Sequence, residues 1–173
     1  MTGLGRTGLG LAGSTWIPAL ALAVGLAVTP ALAQDKTPVR AVEVTADLSA
    51  IGNPRAATYW AGLEDDLSGA ILALVTDRIA DDGVKVDVKL STVELATAFE
   101  NLADLADTRM SGRVNITSQT DNSAFNSYDL TVSVEEALPY FPPGTVITAI
   151  TLENRDYYSA MVTAFARAVV DRL

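Results

Sequence analysis

Residues 57–82 read ATYWAGLEDDLSGAILALVTDRIADD, and the fold depends on this stretch. Its apolar side chains recur at steps of three and four residues, the spacing that places them on one face of an α-helix. The members of this stripe are Trp60, Leu63, Leu67, Ala70, Ile71, Leu74, Val75 and Ile79. Glu64, Asp65 and Asp66 fall in the opening turns, where the helix dipole favours negative charge. The pattern predicts one helix from Ala57 to Asp82, closed by the turn at Gly83.

Strand patterns flank this helix on both sides. Apolar and polar residues alternate there with the period of two that marks a half-buried strand. The inward residues are Val42, Val44, Ala46 and Leu48 before the helix, and Val84, Val86, Val88 and Leu90 after it. A strand, helix and strand in this order usually place the two strands parallel. Because each strand is apolar on one face only, we expect the helix to cover that face.

Residues 91–107 fit two structures. Ser91 to Glu94 has the form of a helix capping box, and a helical stripe follows it, so we predict a short helix. The stripe consists of Leu95, Phe99, Leu102 and Leu105. The alternative is a strand that continues past a bulge near Ser91, because Val93 and Leu95 resume the alternation with the opposite parity.

Two further strands are predicted at residues 113–119 and 128–134. Both alternate, and the polar turn at residues 121–123 between them indicates an antiparallel pair. The segment from Pro139 to Gly144 contains three prolines and cannot be regular structure. A second helix is predicted from a cap at Asn154 to the C-terminus. Its stripe consists of Tyr158, Met161, Val162, Phe165, Val169 and Leu173.

These elements predict an α+β fold of two layers, in which a mixed sheet of about four strands carries two main helices on one face. We expect residues 34–173 to form this single domain. Residues 1–33 have the features of a secretory signal peptide: a lone Arg6, the apolar run 17–28, and small residues at Ala31 and Ala33. Cleavage would leave a periplasmic or secreted chain beginning at Gln34, which its intact mass would test. The alternative is an uncleaved N-terminal helix that anchors the chain in the membrane.

Composition excludes several classes of site. The chain has no histidine and no cysteine, which removes histidine triads, thiol nucleophiles, lipid-anchor thiols and the usual zinc ligands. Without Arg6 the remaining residues carry 11 basic and 21 acidic side chains, a net charge of −10, so nucleic acid is not an expected partner. We predict no cofactor and no metal site. Nor do we expect a membrane-spanning segment once the signal peptide is removed.

Carboxylates are the only remaining acid–base pairs. They cluster at residues 64–66 and 81–82, at Glu100 with Asp104 and Asp107, and at Glu135 with Glu136. Each cluster suits a helix end, a turn or the polar face of a helix. Because a raised carboxylate pKa requires burial, a carboxylate-dependent hydrolase is only the alternative function.

Paired aromatic residues are the main candidates for a binding site. Six of the chain's aromatic residues form the pairs Tyr59-Trp60, Tyr140-Phe141 and Tyr157-Tyr158. Neighbouring residues on a helix point about 100° apart, so we expect one ring of each pair to reach the surface. The predicted binding residues are Tyr140, Phe141, Tyr59 and Tyr157. They would form an apolar site for an envelope protein or a lipid-like ligand. The alternative is a purely structural role, in which each outer ring lies at the edge of the core with its hydroxyl in water.

The order of elements and the one-sided strands over residues 39–173 resemble those of small envelope accessory proteins of Gram-negative bacteria. These are the lipopolysaccharide-assembly and transport-auxiliary lipoproteins. The resemblance implies an α+β fold and a non-catalytic role in the cell envelope. This chain departs from those families because Ala33 and Gln34 stand where they have a lipidated cysteine. The resemblance therefore implies no lipid tether and identifies no functional residue.

Overall fold

Four strands form one mixed sheet in the order β1-β2-β3-β4. A computed structural model describes residues 36–100, 108–119, 125–146 and 155–173. The strands are β1 (Val39–Thr45), β2 (Val84–Leu90), β3 (Arg109–Thr117) and β4 (Asn126–Ser133). β1 and β2 are parallel, whereas β2, β3 and β4 are successively antiparallel. The predicted α+β class, the parallel pair and the antiparallel pair are confirmed.

Five α-helices accompany the sheet in the described residues. They are α1 (Pro54–Tyr59), α2 (Leu63–Leu74), α3 (Thr92–Glu100), α4 (Val134–Ala137) and α5 (Asp156–Val170). The two longest, α2 and α5, contact each other, and they pack on β1 and on β3 and β4 respectively. The inward residues of β2, Val84, Val86, Val88 and Leu90, are all buried. The apolar face of the sheet is thus covered by two main helices, as predicted.

The single helix predicted over residues 57–82 is wrong. The chain forms α1 and then turns at Trp60 to Gly62 before α2 begins. Glycine is unfavourable inside a helix, and the turn lets the buried Trp60 indole donate a hydrogen bond of 2.9 Å to the carbonyl of Leu95. The three acidic residues still occupy the first turn, which is the first turn of α2.

The far end of the predicted helix is also different. α2 ends at Leu74, a 3₁₀ turn covers Thr76–Arg78, and Ile79 then forms a β-bridge with Val39. Ile79 is 54% exposed and does not belong to the core stripe. The chain leaves the helix because its backbone pairs with the outer edge of β1 instead.

Two smaller differences from the predicted elements are the earlier start of β3 and the presence of α4. β3 begins at Arg109, four residues before the predicted start, because Gly112 occupies an inward position without an apolar side chain. A Cβ at Gly112 would lie 2.9 Å from the carbonyl oxygen of Lys89, so the strands leave no room for one. α4 was not predicted. It begins with a capping box: the Ser133 hydroxyl accepts a hydrogen bond from the N–H of Glu136, and the Glu136 carboxylate accepts one from the N–H of Ser133. Glu136 therefore has a structural role.

The short helix predicted after β2 is confirmed as α3, with Leu95 and Phe99 buried. Several predicted features lie outside the described residues. They are the turn at residues 121–123, the helix cap at Asn154, and the stripe residues Leu102 and Leu105. α5 begins at Asp156, and its predicted core residues Tyr158, Met161, Val162, Phe165 and Val169 are buried.

The helix faces give the first prediction. Leu67 of α2 and Phe165 of α5 are fully buried, whereas Asp65 of α2 is exposed. Leu67→Ala should lower the free energy of unfolding by ~2–5 kcal/mol and Phe165→Ala by ~3–5 kcal/mol, because each leaves a cavity. Urea unfolding measures this, with Asp65→Ala as the control at well under 1 kcal/mol. A control as costly as Leu67→Ala would show that α2 presents another face to the core.

Candidate functional site

Five aromatic rings form a cluster where α1, α3 and α5 meet. The rings of Tyr59 and Trp60 meet edge to face with centroids 4.8 Å apart. Tyr59 also contacts Phe99 at 5.7 Å and Tyr158 at 5.9 Å, while Trp60 contacts Tyr157 at 6.5 Å. These separations are typical of favourable aromatic pairs. The cluster joins three helices that are distant in the sequence.

Asp66 and Arg155 contact Tyr158 at the rim of this cluster. The Tyr158 hydroxyl donates to Oδ2 of Asp66 at 2.6 Å. The Arg155 guanidinium lies 4.3 Å from the centre of the Tyr158 ring, and one of its nitrogens lies 4.0 Å from the same Asp66 oxygen. Tyr158 thus makes a cation–π contact with Arg155 and a hydrogen bond with Asp66, and Arg155 also pairs with Asp66. These contacts fix the start of α5 against α2.

Burial raises the pKa values of the three tyrosines in the cluster. It raises the pKa of Tyr59 to about 12. Burial also raises the pKa of Tyr158, and the hydrogen bond to Asp66 adds to this because a second negative charge beside that carboxylate is unfavourable. The pKa of Tyr157 is likewise raised by burial, with a hydrogen bond to Thr108 acting in the opposite direction. Burial thus favours the neutral form of all three hydroxyls.

The structure places two of the predicted binding residues in this cluster. Tyr157 is 1% exposed and Tyr158 is 3% exposed, so the expectation that one ring of this pair reaches the surface is wrong. α5 is enclosed by the sheet, α2 and α4, and it therefore buries more than one stripe. Tyr59 is half-buried among the other rings. Tyr157 is therefore inaccessible to a ligand, whereas Tyr59 stays partly exposed.

Tyr140 and Phe141 lie elsewhere, at the end of a 3₁₀ turn that spans Leu138–Tyr140. Both are half-buried and pack against the edge of the core. Tyr140 lines an open groove of about 340 Å³ between β4 and α5, which we call the β4–α5 groove. Its lining residues are Leu130, Thr131, Val132, Glu136, Tyr140, Ala164, Arg167, Ala168, Asp171 and Arg172. The structure thus places Tyr59 and Tyr157 in the aromatic cluster, Tyr140 in the β4–α5 groove, and Phe141 next to Tyr140 but outside the groove lining.

Small residues of α5 make the β4–α5 groove. Ala164, Arg167, Ala168 and Asp171 recur at steps of three and four and so form one face of the helix. The two alanines leave space beside the buried Leu130 and Val132 of β4. Sequence reasoning missed this face because the apolar stripe of α5 does not include these residues.

Two arginines stand over tyrosines along the groove. The Arg167 guanidinium lies 5.6 Å from the Tyr140 ring centre, and that of Arg172 lies 5.6 Å from the Tyr128 ring centre. Arg172 also donates a hydrogen bond of 2.7 Å to the carbonyl of Ala168. Sequence reasoning assigned both arginines only to the end of the helix. In the described part of the chain, neither forms an ion pair with a carboxylate.

The outer face of the sheet is polar and its side chains bind one another. Arg113 makes two hydrogen bonds to Asp129, at 2.9 and 3.0 Å, across β3 and β4. Lys85 lies 2.5 Å from a Glu43 oxygen and 3.3 Å from an Asp87 oxygen. These exposed pairs lower the pKa of Asp129 and raise that of Lys85 through hydrogen bonding. Such a face is typical of a solvated sheet surface.

Two searches of the described residues give negative results. They contain no group of three or more acidic side chains arranged to hold a metal ion. None of the helices in the described ranges has the length and apolar character needed to cross a membrane. Comparison of the chain with known protein families, with curated proteins and with solved structures found no match in any of the three.

The buried tyrosines predict a loss of stability in alkali. An unfolded tyrosine ionises near pH 10, whereas Tyr59 in the fold resists ionisation until about pH 12. Its contribution is complete below pH 10 and is lost as the pH rises toward 12, at up to roughly 1.4 kcal/mol per pH unit. Urea unfolding from pH 8 to pH 11.5 measures this slope. Tyr59→Phe should make it shallower, and equal slopes in both proteins would contradict the assignment.

Proposed function

We propose that the chain is a non-catalytic binding module of the cell envelope, acting through contacts with a protein or a lipid-like ligand. The observation that carries the proposal is the β4–α5 groove. There Tyr140 is held by a proline-containing turn beside the edge of a sheet. Prolines restrict the unfolded freedom of such a turn, so less conformational entropy is lost when it binds.

The character of the groove favours a protein over a lipid. Lipid sites are mostly apolar and enclosed, whereas four charged side chains line this open groove. An aromatic ring and two arginines beside main-chain groups are typical of protein interfaces, in which tyrosine and arginine are enriched. A protein segment is therefore the favoured ligand.

The alternative is a carboxylate-dependent hydrolase, and the described carboxylates give it no support. An Oε1 atom of Glu64 accepts a hydrogen bond of 2.6 Å from the backbone of Ala46, and Asp66 accepts one from Tyr158. Glu136 caps α4, and Asp129 binds Arg113. Each of these acids is engaged in holding the fold.

Location in the envelope is part of the proposal and rests on residues 1–33. The resemblance to lipopolysaccharide-assembly and transport-auxiliary lipoproteins remains a prediction about element order. It agrees with a non-catalytic role but adds no residue to the site.

The proposal predicts that Tyr140 is needed for partner capture. The partner is captured by crosslinking in the native envelope, identified by mass spectrometry, and then purified for binding measurements. Tyr140→Ala should weaken binding by about 30-fold, since an aromatic anchor contributes ~2 kcal/mol or more. Phe141→Ala should also weaken it.

Val93→Ala is the matched control, because Val93 is 73% exposed on α3 and lies outside the groove. It should leave binding unchanged, and Tyr140→Phe should retain most of it. Thermal melts verify that each variant is folded, because both rings pack partly on the core. A folded Tyr140→Ala protein that binds normally would contradict the site.

A further inference from the structure

The two edges of the sheet differ. The outer edge of β1 is occupied, since the N–H of Ala80 donates to the carbonyl of Val39 at 3.0 Å. Further along, the Ser68 hydroxyl reaches the carbonyl of Val42 at 3.5 Å. Glu64 covers the end of the strand by accepting from the N–H of Ala46. β1 is therefore closed to additional strands.

The direction of the β4 backbone groups follows from the pairing. In an antiparallel strand, the N–H and C=O of one residue point to the same side, and successive residues alternate. Gly112 pairs with Leu130 and Met110 with Val132. Beyond these pairs, the N–H of Val134 donates to the carbonyl of Thr108 at 3.2 Å. The even-numbered residues of β4 thus face β3.

The odd-numbered residues Ser127, Asp129, Thr131 and Ser133 consequently point their backbone groups away from the sheet. The N–H of Ser133 is satisfied by Glu136 at 2.8 Å. For Ser127, Asp129 and Thr131, no backbone partner occurs within the described residues. Within the described structure, the N–H and C=O groups of these three residues therefore form an unpaired row.

Two devices that usually block pairing at an edge, a bulge and a proline or lysine, are absent from β4 itself. β4 matches β3 over eight consecutive positions without a bulge. Its sequence, NSYDLTVS, contains neither proline nor lysine. Charged side chains also protect natural edge strands, and the one charge on β4, Asp129, is paired with Arg113.

We propose that the edge of β4 binds an extended peptide segment of a partner protein by strand addition, in the β4–α5 groove. This inference rests on the proposed function and specifies the form of the partner. Main-chain hydrogen bonds to Asp129 and Thr131 supply the pairing, and alternate side chains of the peptide enter the groove. Side chains on the inner face of the added strand pack against Ala164 and Ala168.

The charges of the groove select an acidic residue in that segment. Arg167 and Arg172 are exposed cations without a carboxylate partner among the described residues. Of the two acids in the groove, Glu136 is engaged with Ser133, whereas Asp171 has no side-chain partner among the described residues and offsets part of the positive charge. An aspartate or glutamate of the peptide pairs with the arginines, and this contribution weakens with salt.

The test uses the full chain and an array of octapeptides that alternate apolar and polar residues, half of them with one acidic residue. The best binder is then measured by fluorescence anisotropy. Thr131→Pro removes one outward N–H without touching the β3 ladder, which edge strands tolerate. It should weaken binding at least tenfold.

Thr131→Ala is the matched control, because it removes the same side chain and its hydrogen bond with Ser111 but keeps the outward N–H. It should change binding less than twofold. A second test leaves the protein unchanged: N-methylation of alternate peptide amides should abolish binding in one register. Replacing both arginines by glutamine should weaken acidic peptides at least fivefold and neutral ones little.

Several results overturn the proposal. They are the absence of saturable binding by any octapeptide, equal binding by folded Thr131→Pro protein, and a dimer in light scattering that Thr131→Pro dissociates. The last result assigns the edge to a second copy of the chain. If Tyr140→Ala loses the partner while Thr131→Pro retains it, strand addition fails and the proposed function stands.

Discussion

A sheet with one apolar face must have that face covered, and most of this structure follows from how two helices cover it. The buried valines of β2 lie at its centre, and α2 and α5 pack side by side over it. Burial of apolar surface at ~25 cal/mol per Å² is the main favourable term in folding such a domain. α2 covers the β1 side with Glu64 and Ser68, and on the β4 side α5 is the main helix among the described elements.

α5 covers the β4 side of the sheet incompletely. Its core face buries Tyr157, Tyr158 and Phe165, whereas the face formed by Ala164, Arg167, Ala168 and Asp171 lies beside β4. Large side chains at Ala164 and Ala168 would fill the space beside the strand. The groove is thus a consequence of residue size along one helix, and residues 130–132 of β4 form its floor.

The alternating strands could be predicted from sequence because Val84 to Leu90 and Leu130 to Val132 have only one periodic interpretation. The break in the first helix could not, since the stripe continues through Trp60 and Leu63 while Gly62 turns the backbone between them. Ile79 fitted the helical period equally well, but a tertiary backbone pair with Val39 decided its place. Tyr140 is a candidate from its pairing with Phe141 and from the prolines beside it, and its role in binding stays a prediction. Arg167, Arg172 and the alanines were missed because their importance depends on which face of α5 meets β4.

The openness of the β4 edge is the central claim, and amide hydrogen exchange of the free chain tests it most directly. The account predicts alternating protection along the strand. The amides of Tyr128, Leu130 and Val132 should exchange slowly, and those of Ser127, Asp129 and Thr131 should exchange rapidly. Slow exchange at all six amides in a monomeric chain would show that the edge is already covered, and would contradict the account.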